Sequence, residues 1–237
     1  MIDINCDVGE GLDNEHLIMP LISSCNISCG AHAGSIEIID KVLKLAIDNN
    51  VKVGAHPSFP DKENFGRKVL DISNDALQKN IENQLLLFKE RAELQNAPIH
   101  HIKPHGALYN LIAINEEIAL VVIVAIKTVF NDVKIYVPYQ SKIGKVALEN
   151  GLEIIYEAFA DRNYNDDLTL VSRSLPYAVI SDKEKVLLHM NRMIETSKVK
   201  TVQDNLQEIK ANTFCLHGDH KNTIDILKFL HQHLEIA

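Results

Sequence analysis

No apolar run in this sequence is long enough to cross a bilayer. The longest, Ile118–Ile126, falls well short of the ~20 residues that a spanning helix needs. Glu116 and Glu117 precede it and Lys127 follows, so it reads as a buried helix with acidic residues at its electropositive N-terminal end. Basic charge is also in deficit: 24 Lys and Arg stand against 32 Asp and Glu, a formal net charge of −8. That balance disfavours a nucleic-acid partner or an anionic membrane surface. Cysteine is sparse, with four residues in 237, too few for a disulfide scaffold. With no basic-plus-apolar segment at the N-terminus, the expectation is reduced thiols in a cytoplasm. Cys25 and Cys29 lie near His32, but no second pair completes a structural zinc set, and they read as small buried residues.

Several signatures are missing as well. There is no Gly-x-x-x-x-Gly-Lys-Ser/Thr loop, no Gly-x-Gly-x-x-Gly turn and no Gly-x-Ser-x-Gly elbow. Neither a Walker-type nucleotide site nor a serine-hydrolase mechanism is indicated. No linker, low-complexity tract or charge block divides the chain. With 46% hydrophobic residues, a single domain over 1–237 is expected.

What is present is a regular alternation. Strand candidates fall at 2–5, 24–28, 52–54, 101–103, 134–137, 153–157 and 213–217, read as short apolar strands covered on both faces. Helix candidates fall at 36–49, 74–94, 116–130, 142–150, 182–196 and 222–234. Ser35 is placed to cap the first of these, and Ser181-x-x-Glu184 reads as a capping box. Seven strands with right-handed crossovers give a parallel α/β sheet. Each strand ends in a polar cluster, which favours closure into a (β/α) barrel whose loops carry the chemistry.

The clusters define the candidate site. Asp7 and Glu10 flank Gly9 after the first strand and can serve a metal, a base or a neighbouring imidazolium. His32 sits in Cys-Gly-Ala-His-Ala-Gly and His56 in Gly-Ala-His-Pro. With Asp7 they suffice for a divalent metal or for metal-free acid–base work, and spacing does not choose between these. Lys103 and His105 follow the fourth strand. Lys103 reads as a clamp for a substrate anion, as the partner of Glu157 in an internal ion pair, or as both at once. Asp161 and Arg162 follow Glu157, and Arg162 offers a bidentate fork, as does Arg173 in a later loop. His217 and Asp219 close the last strand as an oriented acid–base pair, with His220 next. Phe65-Gly66-Arg67 lies in a long loop that reads as a lid or as a surface excursion.

Six ordered motifs carry a resemblance. They are Asp3-Ile-Asn-Cys-Asp-Val-Gly-Glu10, Asn26-Ile-Ser-Cys-Gly-Ala-His-Ala-Gly34 and Gly54-Ala-His-Pro-Ser-Phe-Pro-Asp61, then His101-Ile-Lys-Pro-His-Gly-Ala-Leu-Tyr-Asn110, Glu157-Ala-Phe-Ala-Asp-Arg-Asn-Tyr164 and Phe214-Cys-Leu-His-Gly-Asp219. The set closely resembles the LamB/YcsF family, the A subunits of bacterial 5-oxoprolinase. The resemblance implies a distorted seven-stranded β/α barrel akin to deacetylase-type barrels. It also implies ATP-dependent opening of the 5-oxoproline lactam to L-glutamate together with B and C subunits, with Mg as the companion of ATP. Arg67, Asp161, Arg162 and Arg173 would then serve the substrate. Two other readings use the same residues: a stand-alone metal-dependent deacetylase or amidohydrolase, and a non-catalytic substrate-binding component. A homo-oligomer is compatible with all three.

Overall fold

A computed structural model describes residues 1–219 and 222–237. In chain order its strands are β1 (Asp3–Val8), β2 (Ser24–Ser28), β3 (Lys52–His56), β4 (Ile99–Ile102), β5 (Lys134–Pro138), β6 (Ile154–Phe159), β7 (Lys198–Lys200), β8 (Leu206–Glu208) and β9 (Thr213–Cys215). The helices are α1 (Glu15–Ile18), α2 (Ile36–Asp48), α3 (Asn74–Leu94), α4 (Gly106–Ile114), α5 (Glu116–Val129), α6 (Lys142–Glu149), α7 (Lys183–Thr196) and α8 (Thr223–His233). Strands β1 to β6 pair in sequence, all parallel, and β9 pairs with both β6 and β1 to close the barrel. The expected seven-stranded closed β/α barrel is therefore present, with β7 and β8 as a separate antiparallel pair.

The strands are not apolar on both faces as expected. They alternate. Ile4, Ile27, Val53, Ile102, Ile135 and Phe214 are buried in the hydrophobic core with helix residues such as Leu43, Leu85 and Ile123. The intervening positions carry polar groups that bond to one another. Asn26 Nδ2 donates to Asn5 Oδ1 at 2.8 Å, Asn5 Nδ2 to Thr213 Oγ1 at 2.9 Å, and Tyr136 Oη to Ser24 Oγ at 3.1 Å. His101 Nε2 meets Asn26 Oδ1 at 2.7 Å, and its ring stacks on Tyr136. The principal apolar layer thus lies between strands and helices, and the barrel holds a hydrogen-bonded polar column. Such a column is tolerable because its members satisfy one another. Gly54 makes room for it, since a Cβ there would lie 2.3 Å from His101 Nε2.

Local signals place most helices. Ser35 Oγ accepts from Ile38 N and caps α2, whose Ile39, Val42, Leu43 and Ala46 are buried. The capping box expected at Ser181 does not form. Asp182 is the N-cap of α7, with its carboxylate accepting from Lys185 N at 3.0 Å. β4 begins and ends earlier than expected, leaving Lys103 just past the strand, although its N–H still donates to Ala55 O at 2.9 Å. The last strand ends at Cys215 rather than His217. Helix α4 and the β7–β8 pair have no counterpart in the elements expected from the sequence.

Candidate active site

A cavity opens at the ends of the strands from which the chain passes to the following helices. Its volume is about 660 Å³, and Asp7, Glu10, His56, Lys103, His105, Glu157 and His217 line it together with Arg67, Arg162, Arg173 and Asp219. His32 and Asp161 are buried against these residues. Every candidate residue named from the sequence, His220 aside, therefore gathers at one end of the barrel.

Lys103 sits beneath the cavity. Its Nζ is 3.0 Å from Asp7 Oδ1, 2.9 Å from Glu157 Oε1, 3.1 Å from Cys215 Sγ and 3.3 Å from Asn5 Oδ1. Burial alone would pull its pKa down, but Asp7, Cys215 and Glu157 outweigh burial and hold it well above the ordinary lysine value. Asp7 is the mirror case. Burial would raise its pKa, yet His56 and Lys103 keep it well below the usual carboxylate range. Of the two readings of Lys103, the ion pair with Glu157 is formed, and Asp7 joins it. The ammonium is spent inward, holding two carboxylates. Tyr109 Oη donates to Glu157 Oε2 at 2.6 Å from the first turn of α4.

A second group surrounds His105. His56 Nε2 is 2.9 Å from His105 Nδ1, and the rings are nearly perpendicular. The His32 and His105 rings are stacked, 3.8 Å apart and 3° from parallel. Burial lowers the pKa of both His32 and His105. The Phe65-Gly66-Arg67 loop is pinned here. Phe65 O accepts from His105 Nε2 at 3.0 Å, and Gly66 O accepts from Ala107 N at 2.9 Å. Gly106, with φ +57°, is needed where the loops meet: a Cβ would fall 2.6 Å from Gly66 O.

His217 is oriented by Asp161, not by Asp219 as the sequence suggested. Its Nδ1 lies 2.9 Å and 3.1 Å from the two Asp161 oxygens, and its backbone N–H donates to Oδ2 at 3.1 Å. Asp219 instead accepts from Arg67 at 2.7 Å and Arg173 at 3.0 Å at the rim. Arg162 is not a free fork. Its guanidinium donates to Val171 O at 2.6 Å and Ala178 O at 3.2 Å, tying down the loop between β6 and α7. His220 lies outside the described residues.

Asn5, Asn26 and Tyr109 take part in the site but were not singled out from the sequence. The signal for the first two was present: polar residues two apart in Asn5-x-Asp7 and Asn26-x-Ser28 mark one face of a strand. Tyr109 lies four residues beyond His105, one helical turn away, but α4 itself was not anticipated.

Among the described residues, two sets of His, Cys, Asp and Glu bring ligand-type atoms within 4.8 Å of one another, Glu10 with His32, His56 and His105, and Asp7 with Cys215 and His217. Lys103 contacts two members of the second set, which favours the first as a candidate metal-holding group. The set expected from sequence, Asp7 with His32 and His56, is thus divided: His32 and His56 group with Glu10 and His105, and Asp7 groups with Cys215 and His217.

The LamB/YcsF family model matches residues 2–237. The chain belongs to the LamB/YcsF family. Similar proteins include the A subunit of 5-oxoprolinase from Thermococcus sibiricus, 39% identical over 99% of this chain and 94% of the relative. The corresponding 5-oxoprolinase A subunit of Haemophilus influenzae is 36% identical over 99% of this chain and 96% of the relative. The solved lactam utilization protein of Thermus thermophilus superposes with a TM-score of 0.90 at 31% identity, covering 98% of this chain and 96% of that one. A GH113 β-1,4-mannanase, TM-score 0.54 at 11% identity, shares the barrel fold alone. For this LamB/YcsF chain, no helix among the described residues is long and apolar enough to cross a membrane.

Proposed function

We propose that this chain is the A subunit of an ATP-dependent 5-oxoprolinase, which opens the lactam of 5-oxoproline to L-glutamate together with B and C subunits in the cytoplasm. The observation that carries the reading is the end-to-end match to proteins named as the A subunit of 5-oxoprolinase. The cavity chemistry supports it. Arg67 and Arg173 at the rim suit the ring carboxylate. The cavity is much larger than a five-membered lactam, which leaves room for a phosphorylated form of the substrate.

A lactam is a poor electrophile, and phosphorylation of its oxygen by ATP, with Mg, makes the ring carbon reactive. His217 has its Nδ1 held by Asp161, so Nε2 can take a proton from the attacking water. Water adds to the ring carbon. The carbon–nitrogen bond then breaks, and the proton held by His217 passes to the departing nitrogen, which becomes the free amine. A second water releases the phosphate. Lys103 fixes Asp7 and Glu157 under the reacting ring as a positioning residue.

The test is glutamate release from 5-oxoproline by the A, B and C subunits together and in every omission. Turnover only with all three and ATP supports the reading. Robust ATP-independent turnover by this chain alone would replace it with the amidohydrolase reading.

A further inference from the structure

We infer that Glu10, His56 and His105, flanked by Asp7, form a binding site for one divalent transition-metal ion of the zinc class. The inference does not depend on the oxoprolinase reading and starts from where the ring protons must be. His56 Nδ1 faces Lys103 O at 2.7 Å, and His105 Nε2 faces Phe65 O at 3.0 Å. A carbonyl only accepts, so both nitrogens carry the proton. His32 Nδ1 faces Ser58 Oγ at 2.8 Å, and that hydroxyl already donates to Phe59 O at 2.8 Å, so His32 also donates outward.

In the neutral form of these rings the inward nitrogens are bare acceptors. Ser28 Oγ serves His32 Nε2 at 3.0 Å. Nothing among the described residues serves the other two. His56 Nε2 and His105 Nδ1 face each other at 2.9 Å, with Glu10 Oε1 3.5 Å from His105 Nδ1 and Asp7 Oδ2 3.5 Å from His56 Nε2. The Glu10 side chain is only 5% exposed, and its contacts are these acceptor nitrogens. Acceptors gathered in this way call for a cation.

Metal bonds of about 2.1 Å set neighbouring ligand atoms about 3.0–3.4 Å apart, close to these separations. Imidazole with carboxylate suits zinc-class ions, and an outward N–H held by a carbonyl is the usual support of a ligating histidine. His32 is excluded as a ligand. Its ring is parallel to that of His105, so the two in-plane lone pairs cannot meet at one ion. It instead packs on His105 beside Glu10 as a positioning residue.

The experiment strips the full chain with a chelator and titrates it with Zn²⁺ by calorimetry and with Co²⁺ by visible absorption. Circular dichroism confirms that each variant is folded. One equivalent per chain is expected. Glu10→Gln and His105→Ala should each weaken binding at least ~100-fold, and His32→Ala only about tenfold, the scale of an outer-shell loss. If His105→Ala does not fold, His56→Gln replaces it with the same expected loss. Wild-type binding no tighter than that of the variants would mean that protons occupy the cluster, and the inference fails. It fails equally if binding survives these changes but is lost in Cys215→Ser, which would put the ion at the Asp7, Cys215 and His217 set.

Discussion

Lys103 Nζ lies 2.9 Å from Glu157 Oε1, a contact that joins the end of β4 to β6 beneath the cavity, with neither side chain more than 3% exposed. Removing one partner of a buried pair leaves an uncompensated charge, which typically costs about 3–5 kcal/mol. Lys103→Met strands Glu157 and Asp7 together, so it should lower stability by at least that scale in denaturant melts. Adding Glu157→Gln should recover only part of the loss, because Asp7 stays buried. A melt unchanged in Lys103→Met would show that the ammonium does not hold the floor of the site.

The Asp161–His217 pair gives a prediction for rate and another for acid stability. If His217 moves protons in ring opening, His217→Gln should reduce glutamate formation by ~10²–10⁴. Asp161→Asn keeps the shape but loses the oriented ring, and should fall within the same range. Burial pushes the Asp161 pKa up, but contacts with His217 outweigh it and leave the value below the ordinary one. A carboxylate with a depressed folded pKa stabilises the fold above its unfolded pKa, and that contribution is lost as pH falls through the folded value. Acid titration of stability should therefore be less steep below about pH 4 in Asp161→Asn than in the parent. Parallel titration curves would remove the pair's claim to that charge.

Gly54 and His101 test the polar column. A Cβ at Gly54 would lie 2.3 Å from His101 Nε2, within a ring already stacked on Tyr136. Gly54→Ala should cost at least ~1–3 kcal/mol, the usual range for overpacking. Gly54→Ala combined with His101→Ala relieves the clash, so the pair should be less destabilised than the sum of the two single changes. Simple additivity in thermal melts would rule out the clash as the cause.

The βα alternation was legible because helix periodicity, caps such as Ser35 and apolar strand runs act locally. The gathering of Asp7, His56, Lys103 and His217 at one end followed from their positions at or just past the carboxyl ends of strands, although β1 runs on to Val8 and so holds Asp7 within it rather than after it. What the residues did to one another was not legible. His217 has an acidic neighbour two residues on, yet its partner is Asp161, brought in by the pairing of β6 with β9. Arg162 resembled an anion fork until the chain between β6 and α7 folded back over it and took its donors. The inward polar face was written in Asn5-x-Asp7, but a period of two does not say which face is the interior, and the barrel's closure decides that.

The rim arginines decide how the substrate carboxylate is held. Arg67 and Arg173 both reach Asp219 Oδ2, at 2.7 Å and 3.0 Å, and both remain partly exposed to the cavity mouth. Two guanidiniums around one carboxylate leave a net positive charge there, able to accept one anionic group. This contact would be made in the ground state and in the transition state alike, so its loss acts on KM rather than kcat. Arg173→Gln should raise the KM for 5-oxoproline about tenfold with kcat nearly unchanged, and Arg67→Gln combined with Arg173→Gln should raise it further. The effect should shrink as salt is added, because the rim is exposed and screened within about 10 Å at 0.1 M ionic strength. Asp219→Asn removes the internal competitor and should lower KM, provided circular dichroism shows the fold intact. If KM for both arginine variants matches the parent across salt concentrations, the carboxylate is held elsewhere in the cavity and the rim pairing is structural.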